Sequence, residues 1–123
     1  MKFYHVSNNP DLDGKVMHPR VPLSRMNNEE RSIKRICVST SINGCLTASN
    51  RYDIGELLDV YTCETNQFIQ PTAKQVIDAP LTGEVWIIEP VKFKWFMRIA
   101  ITDIFESQFE GVNNYFYAFE QEL

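Results

Sequence analysis

The sequence has few cysteines, and they follow none of the spacings that hold disulfide frameworks or zinc ions. They are Cys37, Cys45 and Cys63, an odd number without a Cys-x-x-Cys pair. Cys37 and Cys63 lie in apolar runs and are predicted to be buried as small hydrophobic side chains. His18, in a loop before Pro19, has no Cys or carboxylate neighbour at metal-ligand spacing. We therefore expect no metal site, no disulfide framework and a reducing, cytoplasmic environment.

Long hydrophobic runs are also absent. No apolar stretch approaches the roughly 18 residues that a membrane-spanning helix requires. The opening residues, Met1–Val6, are too short and too polar for a secretory signal peptide. A soluble protein without a membrane partner is therefore predicted.

Positive charge is not in excess. The chain carries 12 Lys and Arg against 16 Asp and Glu, a formal net charge of −4, whereas a dedicated nucleic-acid-binding domain normally shows a basic stripe. A nucleic-acid partner is therefore not expected. Basic residues do cluster locally, and such a cluster suits an anionic small ligand. Its members are Arg20, Arg25, Arg31, Lys34 and Arg35.

Length and composition indicate one globular domain spanning residues 1–123. The chain is 44% hydrophobic and 23% charged, which are ordinary globular values, and it shows no internal repeat, low-complexity tract or linker. Predicted strands outnumber predicted helices and are not separated by regular helical spacers, which disfavours a doubly wound α/β fold. The predicted fold class is α+β: a compact domain of two small, mostly antiparallel split sheets with one or two short helices.

Secondary structure is predicted from turn formers and from β-branched or aromatic runs. The main helix is predicted from Ile42 to about Ser49, with Ser41 as its N-cap. Thr65–Ala73 and Phe105–Asn114 are predicted to be loops, and Asn27–Lys34 fits a short polar helix or a loop. Strands are predicted at Lys2–Ser7, Arg35–Val38, Leu57–Cys63, Gln75–Asp78, Val85–Glu89, Phe93–Ile101 and Tyr115–Glu120.

Three polar sites fall at or near the ends of predicted strands. His5 lies in the first strand, the Ser39–Ser41 triplet follows the second, and Glu84 comes just after the turn former Gly83. A strand of a rigid sheet can hold a catalytic carboxylate in a fixed position beside a cleft. Each site also has an ordinary structural interpretation: a satisfied histidine, a helix cap and a solvated glutamate at a strand end.

Three short motifs carry these residues. They are Tyr4–Ser7 (Tyr-His-Val-Ser), Ile36–Ser41 (Ile-Cys-Val-Ser-Thr-Ser) and Glu84–Phe93 (Glu-Val-Trp-Ile-Ile-Glu-Pro-Val-Lys-Phe). Their order resembles that of the ADP-ribosyltransferase superfamily, and the opening motif is similar to that of the small rifamycin ADP-ribosyltransferases and RNA 2′-phosphotransferases. The resemblance implies an ADP-ribosyltransferase-like fold that takes NAD as a substrate and transfers ADP-ribose to an acceptor or hydrolyses NAD.

The resemblance implies a catalytic role for three residues. His5 would hydrogen-bond the ribose hydroxyls on the nicotinamide side of NAD. Ser39, with Thr40 and Ser41, would buttress the pocket and orient Glu84. The Glu84 carboxylate would bond the ribose 2′-hydroxyl and stabilise the oxocarbenium-like state as nicotinamide leaves, which is the electrostatic role of a preorganised charge.

The resemblance also implies a binding surface for the dinucleotide. Arg20, and after it Arg25 or Arg35, would meet the pyrophosphate, because a guanidinium fork matches paired oxygens. Ser7 would support the contacts of the first strand. The implied cofactor-binding residues are His5, Ser7, Arg20, Ser39, Thr40 and Ser41.

Two departures from the family pattern leave a second function open. The glycine that usually follows the histidine is Val6 here, at a place where the dinucleotide normally approaches closely. The residue two before Glu84 is Thr82 rather than the Glu or Gln of transferases that modify protein arginine. These differences fit a catalytically silent module that binds a nucleotide or docks on a protein. A small-molecule nucleotide is the expected ligand, and a protein acceptor stays open.

Overall fold

One large antiparallel sheet forms the frame of the domain. The computed structural model describes residues 1–21, 32–49, 51–76, 79–109 and 111–122. Within them lie nine strands and two short helices: β1 Lys2–Ser7, β2 Val16–Met17, β3 Ile36–Ser39, α1 Ile42–Ala48, β4 Leu57–Glu64, β5 Phe68–Ile69, α2 Ala79–Thr82, β6 Glu84–Ile87, β7 Val91–Lys92, β8 Lys94–Phe109 and β9 Val112–Gln121. None of the helices in the described ranges is long and apolar enough to cross a membrane.

The strand order shows which part of the predicted architecture holds. Seven strands form one sheet in the order β5-β6-β3-β1-β4-β8-β9, while β2 and β7 form a two-stranded sheet, and all paired strands run antiparallel. An antiparallel, β-rich α+β domain with two short helices is therefore confirmed. The prediction of two small sheets is wrong in the sizes of the sheets, because seven strands join one sheet and only two form the other.

The best-predicted elements are the first strand and the first helix. Strand β1 has the predicted bounds, and α1 begins after Ser41, whose hydroxyl accepts a hydrogen bond from the N–H of Gly44 at 2.9 Å. In the predicted strand Gln75–Asp78, Gln75 and Val76 lie in a turn, where Val76 N–H donates to the Thr72 carbonyl, and residues 77–78 lie outside the described ranges. The predicted loop over residues 65–73 contains the short strand β5. Of residues 27–34, only 32–34 are described, and they are not helical.

The loop predicted over Phe105–Asn114 is wrong, because this stretch forms the end of a long hairpin. Strand β8 continues to Phe109, and β9 begins at Val112 after a tight turn in which Gly111 adopts a φ of 76°. Residues 105–108 are exposed, so no alternation of buried apolar residues marks the strand. Backbone pairing with β9 holds it instead.

Each face of the large sheet carries its own hydrophobic cluster. The two-stranded sheet covers one face through Met17 and Val91, and helix α1 covers the other through Cys45 and Leu46. The first cluster includes Phe3, Ile36, Val38, Tyr61, Val85, Ile87 and Phe93. The second includes Val6, Leu58, Val60, Ile99, Ile101 and Tyr117.

A gap opens between two neighbouring strands in the middle of the sheet. Strand β1 pairs with β4 along all six of its residues, but it pairs with β3 only where Tyr4 lies opposite Ser39. Beyond that pair the two strands diverge. The second half of β1, from His5 to Ser7, and the first half of β3, from Ile36 to Val38, therefore form the walls of a crevice.

Candidate functional site

Three cavities surround the second half of β1. The small cavity, of about 150 Å³, is lined by residues that include His5, Val6, Ser39, Cys45, Ser49 and Glu84. The cationic cavity, of about 480 Å³, is lined by residues that include His5, Ser7, His18, Arg20, Arg35 and Phe93. The outer cavity, of about 440 Å³, is lined by residues that include Val6, Ser7, Asn8, Ser49, Arg51 and Glu56.

The small cavity lies between the other two. It shares His5 with the cationic cavity and Val6 and Ser49 with the outer cavity. Ser7 lines both of the larger cavities. The three spaces are therefore adjoining parts of one crevice, and His5, Ser39 and Glu84 all line the small cavity.

Glu84 is fixed by a neighbour in its own strand. It begins β6 directly after Gly83, whose φ of 66° lets the chain turn out of α2. Its carboxylate accepts a hydrogen bond of 2.6 Å from the indole N–H of Trp86, which is fully buried. Residues two apart in a strand share a face, so this contact was available in the Glu-x-Trp spacing, although the sequence analysis did not use it.

Ser39 acts as a link between elements. It is 1% exposed, and its hydroxyl donates to the Thr82 carbonyl at 2.7 Å while accepting from the Ser41 N–H at 3.3 Å. Gly44 of α1 packs so closely here that a Cβ atom at that position would collide with the Thr82 carbonyl oxygen and the Ser39 hydroxyl. Ser39 thus holds the end of α2 just before Glu84, which is a positioning role.

His5 is half-buried and neutral near pH 7. Its ring centre lies 4.9 Å from that of Phe93, with the two planes tilted by 37°. Burial lowers the pKa of the imidazole below its usual value, and a hydrogen bond with the Cys37 backbone partly opposes this by raising it. A neutral imidazole presents one donor and one acceptor, so His5 can tie β1 to β3 and still face a ligand in the crevice.

The cationic cavity brings together the side chains suited to an anion. Arg20 and His18 are exposed on its wall, and Ser7 lies beside His5. Arg20 is held in place because its backbone exchanges two hydrogen bonds with Arg35, at 3.0 and 2.9 Å. No acidic residue is among the described residues that line this cavity.

Arg35 lines the cationic cavity, but its side chain is buried. Its side chain is 1% exposed, its guanidinium carbon lies 4.0 Å from the centre of the Trp86 ring, and it donates to the Ile33 carbonyl at 2.9 Å. The guanidinium is therefore held in the interior by a cation–π contact, and we do not assign it to the pyrophosphate. Arg25, the other alternative, lies outside the described residues.

Thr40 and Ser41 are not brought into the crevice. Both are exposed at the start of α1, and neither is among the residues that line the three cavities. Ser41 caps the helix, while the Thr40 N–H donates to the Gly83 carbonyl at 3.3 Å. The resemblance implies that they buttress the pocket together with Ser39, and in this placement their contacts shape the strand–helix turn rather than the lining of the crevice.

The structure also identifies residues that the sequence analysis did not assign to the site. His18 lines the cationic cavity, and Asn8, Arg51 and Glu56 line the outer cavity. In the described ranges, no group of three or more His, Cys, Asp or Glu side chains is placed to hold a metal ion. Comparisons of the chain with protein-family models, curated proteins and solved structures give no match.

Proposed function

We propose that the domain binds NAD in the crevice between β1 and β3 and cleaves the bond between nicotinamide and ribose, as an ADP-ribosyltransferase-like enzyme. The observation that carries this proposal is the shared lining of the small cavity by His5, Ser39 and Glu84. These residues come from three adjacent strands, β1, β3 and β6. An imidazole, a buttressing hydroxyl and a carboxylate are the groups that the resemblance implies for this reaction.

The sizes of the two cavities that share His5 suit the two ends of the substrate. Small-molecule pockets commonly measure about 300–1,000 Å³, and the cationic cavity falls within that range at about 480 Å³. The small cavity, at about 150 Å³, has room for a single ring. We place the nicotinamide in the small cavity and the ADP-ribose portion in the cationic cavity, so that the bond to be broken lies beside His5.

Charge supports the same orientation. Arg20 and the donors of Ser7 and His18 lie on the side assigned to the pyrophosphate, and a guanidinium suits paired phosphate oxygens. The Glu84 carboxylate lies on the other side, where positive charge develops on the ribose as the bond breaks. A carboxylate already fixed by the Trp86 indole needs little reorganisation to stabilise that charge.

The proposed step is a displacement at the ribose C1′ carbon. The C1′–nitrogen bond breaks, nicotinamide leaves with the electron pair, and Glu84 stabilises the oxocarbenium-like state while bonding the 2′-hydroxyl. Water, or the hydroxyl or amine of an acceptor, then forms a bond to C1′ and gives up a proton to solvent. The outer cavity adjoins the small cavity at Val6 and Ser49 and provides the approach for that nucleophile.

Release of free nicotinamide from NAD tests the proposal. We expect turnover by the wild-type protein and a loss of about a hundredfold or more in Glu84→Gln, because the variant removes the charge that stabilises the transition state. The amide oxygen of Gln still accepts from Trp86, so the fold is kept. Glu89→Gln is the matched control, since Glu89 accepts from the Thr65 hydroxyl at 2.6 Å and lines none of the three cavities. Turnover that is absent in the wild type, or equal in both variants, contradicts the catalytic proposal.

A second candidate function is nucleotide binding without turnover. It is favoured by Val6, which lines the small cavity at the position where the family usually has a glycine that lets the dinucleotide approach closely. Calorimetry with NAD, ADP-ribose and cyclic nucleotides separates the two functions. Tight binding of any of these without nicotinamide release favours the silent module, and the absence of binding by all of them excludes both.

A further inference from the structure

Strand β9 forms an open edge of the large sheet. It spans the ten residues Val112–Gln121, is last in the strand order, and pairs with β8 on one side. Within the described part of the chain, no segment pairs with its outer side. Such an edge presents a row of N–H and C=O groups that can accept another strand. The opposite edge of the sheet is β5, which is only two residues long.

This edge lacks the protections that natural edge strands carry. Lysine, proline, an inward-pointing charge or a bulge usually prevents pairing with another chain. Residues 112–119 of β9 contain no charged residue and no proline. The irregularity in this hairpin lies in β8, between Ile101 and Asp103, and leaves residues 112–118 in regular register. The outer side of β9 therefore has no feature over this stretch that would prevent pairing with another strand.

The hairpin register shows which backbone groups face outward. Phe109 and Val112 are paired with two residues between them, and the pair that closes such a hairpin is a hydrogen-bonded one. Hydrogen-bonded pairs alternate along an antiparallel ladder. The N–H groups of Asn113, Tyr115 and Tyr117 therefore point away from β8, toward any added strand.

An aromatic pair in the β8–β9 hairpin indicates what kind of strand would pair with this edge. Phe105 of β8 is 54% exposed and lies directly opposite Phe116 of β9, which is half-buried. A second β9, antiparallel about a twofold axis at Phe116, would place its own Phe116 against the first at the close spacing of a non-hydrogen-bonded pair. The two pairs would then form a continuous row of four rings, and Phe105 would lose much of its exposure.

We propose that the protein forms a homodimer in which β9 pairs antiparallel with β9 of a second copy and joins the two large sheets into one. Self-pairing about Phe116 sets Asn113 opposite Phe119. The residues from Asn113 to Phe119 are all uncharged, so no like charges lie opposite each other in this pairing. The dimer leaves the crevice open in both copies, because none of the residues lining the three cavities belongs to β9. This inference is independent of the proposed function.

Sedimentation velocity at micromolar concentrations and above tests for the dimer, and it compares the wild type with variants substituted in the β9 edge strand. Asn113→Pro removes an outward N–H at a place where an edge strand accepts proline, and Asn113→Thr is its control. Phe116→Lys sets two ammonium groups against each other, and Phe96→Lys is its control, because Phe96 is 41% exposed and lies outside the β8–β9 pairing. Far-UV circular dichroism confirms that each variant folds.

We expect the wild type to form a dimer. Its dissociation constant should rise about tenfold or more in Asn113→Pro and Phe116→Lys, because each substitution is present in both copies at the interface. The two controls should dimerise like the wild type. Amide exchange of the wild type provides a second measurement that needs no variant: Tyr115 and Tyr117 should exchange more slowly as concentration rises. A wild-type monomer throughout, a dimer unaffected by both edge variants, or exchange at these amides that is independent of concentration would overturn the proposal.

Discussion

His5 and Glu84 line one cavity although the strand register places their side chains on opposite faces of the sheet. Tyr4 lies opposite Ser39, and Ser39 lies opposite Glu84, so these three share a face, while His5, next to Tyr4, points to the other. The two meet because β1 and β3 separate just after their single pair. The split in the sheet is therefore the feature that creates the candidate site.

The hydrogen bond between Glu84 and Trp86 predicts a different stability for two substitutions at position 84. Glu84→Gln keeps an acceptor for the indole, so the free energy of unfolding should change little. Glu84→Ala leaves a buried N–H without this partner, which should cost about 1–3 kcal/mol. Urea unfolding of both variants measures the difference, and equal midpoints with equal slopes would show that the bond does not stabilise the fold.

Gly44 provides a prediction that opposes helix propensity. Alanine is better than glycine in a helix by about 1 kcal/mol, but a Cβ atom here would collide with Thr82 and Ser39. We expect Gly44→Ala to destabilise the protein by about 1–3 kcal/mol, as overpacking does. Thermal and urea unfolding measure the change. Asn43→Ala, at an exposed position of the same helix, is the control, and a stabilised Gly44→Ala would contradict the close packing.

The lowered pKa of His5 predicts how stability depends on pH. The folded state binds a proton at His5 less readily than the unfolded state, whose pKa is near 6.5. As pH falls below about 6.5, the unfolded state takes up more protons and stability is lost, whereas above that pH the contribution is complete. When the pH is lowered from neutral to mildly acidic, the wild type should therefore lose more unfolding free energy than His5→Gln, which has no imidazole at this position. Parallel curves would contradict burial of a neutral imidazole.

Local chemistry was sufficient to predict β1 and α1 from the sequence, because alternating β-formers and the Ser41 cap determine them within a few residues. The hairpin beyond Phe105 was missed for a physical reason. Residues 105–108 are exposed and largely polar, so hydrogen bonding of this stretch to β9, rather than burial, makes it a strand. A single turn signal at Gly111 does not distinguish a hairpin turn from a loop.

The candidate site was predictable in part of its residues and not in its contacts. Strand-end positions identified His5, Ser39 and Glu84, but the placement of Thr40 outside the crevice depends on how β3 turns into α1. The Arg35 side chain is buried because it packs on Trp86, and Trp86 lies opposite Cys37 in a register that only the folded sheet defines. Side-chain partners across strands therefore decide which polar residues face a ligand.

Imidazole resonances give the most direct test of NAD binding in the crevice. The chain has two histidines, His5 and His18, and both line the cationic cavity, so both signals of a histidine-selective NMR spectrum report on this cavity, and the His5 signal reports on the small cavity as well. Addition of NAD should shift both signals with one saturation curve, in the wild type and in Glu84→Gln alike. Two signals that stay in place at saturating NAD would contradict a dinucleotide site between β1 and β3.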